Sequence, residues 1–285
     1  MLSSRPQPPR ALVATALAGA FLSVVVLAAL SASGDRAITA NIGPAGPFAD
    51  LHRTVPLGVV RLACWFAAGC GGAGVLAGLA AVRAGWRPRP GWALAACAVA
   101  TAVFALVPPA GSIDVQNYAE YGRIVVLGHS PYSMTPQALY LLHDPVGLLR
   151  PRQWRNQPTV YGPLATAVEA AAAWLGGTSM AWITFWIKVT NGACYVAVAA
   201  VLGRLAGSDA ERRARVAVLW AVNPLLLFWM VAGAHADLLA VLPLVLAVWV
   251  LRAAWRQQAE RRRRKQQPSP PTGTHAEPAA GAHLS

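Results

Sequence analysis

Six long apolar runs separated by short basic segments constrain this chain more than any other feature. They are Ala11–Ser33, Leu57–Val82, Gly91–Pro109, Met180–Leu202, Val216–Val231 and Leu238–Leu251. A helix of about 20 apolar residues crosses the roughly 30 Å hydrocarbon core of a bilayer. Hydrophobic residues make up 56% of the 285 and charged residues 12%, against about 25% charged in an ordinary soluble domain. So few charges cannot cover a water-facing surface. The expected class is an all-α integral membrane protein of about six transmembrane helices.

The first run is longer than the 7–15-residue apolar core of a cleaved signal peptide, so it reads as an anchor. The net charge of +13 invites a nucleic-acid reading, but the arginines sit in short segments between apolar runs and in the last stretch of the chain. That is the pattern of cytoplasmic loops, so nucleic acid is excluded as a partner and the bilayer takes its place. Cys64, Cys70, Cys97 and Cys194 all lie inside apolar runs, without CxxC spacing or a flanking His. They read as small buried hydrophobes rather than metal ligands or disulfides.

The segment Tyr161–Trp174 is apolar but short, with Glu169 in its middle. If it does not span, 16 Lys and Arg fall in cytoplasmic segments and 6 in outer loops; if it does, the counts become 5 and 17. The positive-inside rule prefers the first arrangement. The segment is therefore expected to be an interfacial or re-entrant helix, with both termini cytoplasmic and the protein multi-pass in the cell membrane. Four regions follow: residues 1–109, a leader and three spans; 110–179, an outer loop; 180–254, three more spans; and 255–285, a basic cytoplasmic tail. The stretch from Arg252 onward is expected to be disordered, being basic, then Pro- and Ala-rich without periodicity.

The outer loop holds most of the polar and aromatic chemistry. On a helix, Asp114, Asn117, Tyr118 and Tyr121 share a face by i, i+3, i+4 spacing. A carboxylate beside aromatic rings can take a proton from a sugar hydroxyl while the rings stack on the sugar. The same residues also suit a helix cap and an interfacial aromatic belt, and the residues alone leave both readings open. Glu120 falls roughly opposite Asp114 and is expected to tolerate Gln. Asn223-Pro224 breaks a span, and His235 and Asp237, two apart, fit a turn better than a helix face. One His with one or two carboxylates is too small a ligand set for a metal. Lys188 lies about 12 Å inside its span at 1.5 Å per residue; a lipid phosphate or snorkelling to the headgroups would each account for it. Arg123 is the second phosphate candidate, and Arg61 reads as a snorkelling residue.

Taken in order, Asp114-x-x-x-Tyr118-x-x-Tyr121-Gly122-Arg123, Gly128-x-x-Pro131-Tyr132, Tyr161-Gly162-Pro163-Leu164, Asn223-Pro224 and His235-x-Asp237 resemble a known series. It is similar to that of the actinobacterial polyprenol-phosphate-mannose-dependent α-1,6-mannosyltransferases, integral-membrane enzymes of the GT-C superfamily. The resemblance implies a GT-C-like module without a cofactor, a polyprenyl-phosphate sugar donor and a cell-envelope glycan or glycolipid acceptor. It implies that Asp114 is the base on the acceptor hydroxyl and that attack inverts the anomeric centre. Arg123 or Lys188 would hold the departing phosphate, Asn117, Tyr118, Tyr121, Tyr132 and Tyr161 would shape the sugar pocket, and His235 with Asp237 would close it. This chain carries Ala236 where such enzymes usually have Asn. It also has fewer helices than they do, which implies either a shortened relative, acting as a subunit or lipid-linked-sugar binder, or a partner that supplies a second half.

Overall fold

The computed structural model describes residues 9–43 and 46–266. Among them no β-strand forms; an isolated antiparallel bridge pairs Thr39 with Ala110. Ten α-helices follow one another: α1 (Arg10–Ala32), α2 (Leu57–Arg83), α3 (Pro90–Leu106), α4 (Asp114–Val126), α5 (Pro136–Leu141), α6 (Pro163–Gly176), α7 (Met180–Ala206), α8 (Ala210–Val216), α9 (Pro224–Leu227) and α10 (Leu238–Gln266). Two π-helical turns, Ala217–Ala221 and Phe228–Ala232, continue α8 and α9.

Every expected apolar run is helical, but the lengths divide them. Among the described residues α1, α2, α7 and α10 are long and apolar enough to cross a membrane. A fifth crossing arises if the pair Ala210–Ala221 and Pro224–Ala232, bent by 41°, counts as one span. The remaining run, α3, is an apolar helix of 17 residues. The bend falls where the sequence placed it. Asn223 caps the new helix by accepting from the Leu225 and Leu226 amides, and Pro224 occupies its first position, where a missing N–H costs nothing.

The tail expectation needs correcting over its first part. From Arg252 to Gln266 the chain is helix rather than disordered, a continuation of α10. Ala, Arg, Gln and Glu are strong helix formers, and together they carry the helix past its apolar run although the mean hydropathy falls. The rest of the tail lies outside the described residues. Contacts divide the chain into two units at Leu246, and over its described residues the second consists of α10 from Ala247.

Within the first unit, α1 packs along α2. A Cβ on Gly19 would lie 2.5 Å from the Cys70 carbonyl, so these backbones touch directly. Not all glycines of α2 serve this contact: Gly71, Gly74 and Gly78 meet neighbours, whereas Gly69 and Gly72 face open space. At the other end α4 packs on α6, and both pack on α7. This trio, with the loop before α10, carries the polar chemistry.

Candidate active site

Helix α4 begins where Gly111, at φ +83°, turns the chain after α3. The Ser112 hydroxyl accepts from the Asp114 amide at 3.1 Å. Ile113 is the capping position and offers no side-chain cap, so the Asp114 carboxylate is not the cap that one reading proposed. It still gains from the helix dipole at the first turn, as Arg123 does at the last. Gly128, at φ +82°, ends the helix.

A cavity of about 480 Å³ opens beside this N-terminus, lined by Asp114, Tyr118, Tyr161, His235, Ala236 and Asp237 among others. Three sequence segments, 114–118, 161–165 and 235–240, meet there. Tyr161 donates to the Tyr118 hydroxyl at 3.2 Å, and the two rings meet edge to face at 5.2 Å. His235 Nδ1 lies 4.0 Å from Asp114 Oδ2. Its ring stacks on Trp229 at 4.3 Å, and its Nε2 is buried without a partner. The turn expected for His235 and Asp237 forms, with Ala234 in the left-handed region at φ +56°. Such a conformation in a residue with a Cβ is strained.

The electrostatics follow from burial. Desolvation holds the His235 imidazole below its usual range, with Asp114 and Asp237 opposing, so the ring is neutral at neutral pH. Burial pushes the Tyr118 and Tyr161 phenols up; both stay protonated and act as hydrogen-bond groups. The carboxylates of Asp114 and Asp237 accept no hydrogen bond among the described residues, which leaves them open to a ligand. Another polar cavity, at Asp35 and Asp50, differs in this respect. There Asp35 accepts from Ala37 and Val55, and Asp50 from His52, so the acids hold their own loop.

The remaining expected site residues stand elsewhere. Asn117 is buried with its Oδ1 unpartnered. Tyr121 donates to the Gln157 carbonyl at 3.1 Å, and Tyr132 shares a 3.1 Å hydrogen bond with Thr166. Arg123 is committed to Asp144 by a 2.9 Å ion pair with little exposure on either side. Lys188 neither lines the cavity nor snorkels; it is fully buried and donates to the Val107 carbonyl. Arg61 is exposed on α2, as a snorkelling residue would be. The sequence reading missed Trp229, the stacking partner of His235, and Asn191, which donates to the His235 carbonyl at 2.9 Å. Asn191 left a signal: an amide inside an apolar run, one helical turn from Lys188.

Glu120 is fully buried, with both carboxyl oxygens unpartnered, and Glu169 on α6 is likewise buried with both of its oxygens unpartnered. Desolvation raises the Glu120 carboxyl to about 9, against a smaller lowering by Arg150, and the Glu169 carboxyl to about 8. Both are therefore neutral acids at pH 7, and Gln is the isostere of that form. The folded state holds these protons while the unfolded chain loses them near the ordinary carboxyl pKa of about 4.3. Stability from this source is complete below that value and is lost as pH rises through 8 to 9. Detergent-solubilised wild type should lose melting temperature between pH 6 and pH 9, and Glu120→Gln should lose less. Equal slopes in thermal unfolding would show that Glu120 ionises normally.

These observations define a class first: an all-helical protein with apolar helices long enough to cross a bilayer and an acid-bearing cavity beside one end of its bundle. Comparison supplies the family. Residues 14–261 match the family model described as alpha-(1->6)-mannopyranosyltransferase, N-terminal domain, and the chain belongs to that family. A curated relative, described as a probable alpha-(1->6)-mannopyranosyltransferase of Mycolicibacterium smegmatis, is 33% identical over 147 residues. That stretch is 50% of this chain and 25% of the relative. No solved structure matches.

Proposed function

We propose that this chain is a membrane-embedded hexosyltransferase module that moves mannose from a polyprenyl-phosphate donor to a cell-envelope glycan or glycolipid. The observation that carries the reading is the Asp114 carboxylate, free of hydrogen bonds among the described residues, in a cavity walled by Tyr118, Tyr161 and the His235 turn, within a chain of this family. Asp114 takes the proton of the acceptor hydroxyl as that oxygen attacks the anomeric carbon. The new C–O bond forms as the bond to the donor phosphate breaks, and the phosphate leaves on the opposite face, so the centre inverts. The neutral imidazole of His235 and the phenols of Tyr118 and Tyr161 orient the sugar hydroxyls.

The family description, an N-terminal domain, supports a module that works with a second membrane half. The proposed topology has six spans with α6 interfacial, both termini cytoplasmic and the cavity on the outer face. The experiment is transfer of radiolabelled mannose from the lipid donor in membranes holding this chain, alone and with the partner half. Binding of lipid-linked sugar with no transfer in either case would replace the enzyme with a binding subunit.

Topology has its own check. In a cysteine-free background, a cysteine at Gln153 should react with an impermeant thiol reagent added to intact cells, and one at Gln258 should not. Both positions are exposed, so access decides the result. Labelling at Gln258 from outside would invert the proposed arrangement and move the cavity to the cytoplasmic face.

A further inference from the structure

One stripe of α7 is polar although the helix lies among apolar neighbours. Thr184, Lys188, Asn191 and Tyr195 follow one another at four, three and four residues, and all are buried. Side chains at that spacing lie on one face. Three of the four donate to backbone carbonyls rather than to other side chains. Lys188 Nζ donates to the Val107 carbonyl, Asn191 Nδ2 to those of His235 and, at 3.4 Å, Met230, and the Tyr195 hydroxyl to that of Trp220.

Three of these four acceptors share an origin. Val107 is the residue that ends α3, and Trp220 and Met230 sit in the two π-helical turns. Helix ends and π-turns leave carbonyls without their regular partners. At membrane depth no water satisfies them, so a neighbouring helix must. Two of these bonds also bracket the cavity. Val107 leads into the short segment that ends at Asp114, and His235 is in the cavity wall. Between them the Ala110 amide donates to the Ala232 carbonyl at 3.1 Å.

We infer that Lys188 and Asn191 are positioning residues that clamp the two segments carrying Asp114 and His235 onto α7 and so set the spacing of the cavity. The inference rests on the mannosyltransfer reading only for its kinetic consequence. It assigns Lys188 to the scaffold in place of the donor phosphate. Each contact runs from a side chain on α7 to a backbone carbonyl where a neighbouring element ends or turns, so the donors fix the path of the chain rather than a side-chain rotamer.

The test uses the full chain in lipid nanodiscs and two readouts. Hydrogen exchange needs no substrate. Asn191→Leu should speed exchange at 232–237 by about tenfold, and Lys188→Met should do so at 107–114, with the α1–α2 pair unchanged. In the transfer assay each should lower kcat by about a hundredfold while the KM for the lipid donor stays within about twofold. Asn191→Gln, which keeps an amide donor, should recover most of both. Should Asn191→Leu fail to insert, Asn191→Ser, which removes the reach but leaves room for a water, carries the same test.

Local loosening with no transfer even by the wild type would keep the positioning role and remove the glycosyltransfer reading. Unchanged exchange, or exchange faster throughout all helices, would overturn the positioning role. So would a Lys188→Met variant whose sole defect is a raised donor KM, since that marks a phosphate partner.

Discussion

Asp114→Asn will lower sugar transfer by at least about a hundredfold while leaving insertion and donor binding intact. A general base contributes about 10²–10⁴-fold, and the amide keeps the shape of the carboxylate while removing its basicity. The structure removes the main reason to expect a folding defect. The carboxylate caps nothing and accepts no hydrogen bond among the described residues, and the ring facing it is the His235 imidazole, Nδ1 at 4.0 Å. Because His235 is neutral at neutral pH, no buried ion pair is broken. Glu120→Gln is the matched control, since it replaces a buried neutral acid by its isostere, away from the cavity. Transfer of labelled mannose in membranes carrying each variant measures the difference. Near-normal transfer by Asp114→Asn would leave the carboxylate as a first-turn acid beside the helix dipole, and the base would have to be sought at Asp237, the other open acid of the cavity.

Part of the candidate site is legible in the sequence because the physics that marks it is local. Asp114 and Tyr118 share a face by helical spacing alone, and α4 delivers both to one cavity. Asn223-Pro224 breaks an apolar run by its own local chemistry, and a His and an Asp two apart fit a turn better than a helix face. What sequence could not supply was the direction of long side chains. Arg123 in the outer loop and Lys188 in an apolar run, where a cation is costly, both read as candidates for a donor phosphate, with snorkelling the other account of Lys188. The partners turn out to be intramolecular, Asp144 for one and the Val107 carbonyl for the other, and neither lies near in sequence. Spacing could place Glu120 opposite Asp114, but only tertiary packing shows that its carboxyl is fully buried without a hydrogen-bond partner. Among the glycines of α2, the structure separates those in contact, Gly71, Gly74 and Gly78, from those in open space, Gly69 and Gly72.

The second large effect comes from a single added methyl group, Gly122→Ala. In a helix interior Gly to Ala ordinarily stabilises by about 0.5–1 kcal/mol, and at Gly203 or Gly72, where a new Cβ meets nothing within 4 Å, that sign should hold. At Gly122 the Cβ would lie 2.1 Å from the Glu169 carbonyl oxygen and 2.4 Å from its carbon. These are backbone atoms of α6, so no rotamer change relieves the clash; α4 and α6 must separate. Overpacking of this kind costs about 1–3 kcal/mol, and the upper end applies when the obstruction is backbone. The consequence reaches the site. Tyr118 belongs to α4, whereas Tyr161 stands two residues before α6, and their 3.2 Å hydrogen bond spans the gap that must widen. A misplacement of about 1 Å at a reacting centre can cost about a hundredfold in rate. Gly122→Ala should therefore melt below wild type in detergent and transfer sugar far more slowly, while Gly203→Ala and Gly72→Ala melt at or above it. If Gly122→Ala melts with the two controls, the close approach of α4 and α6 is not what holds Tyr118 against Tyr161, and the cavity wall must be held from α7 alone.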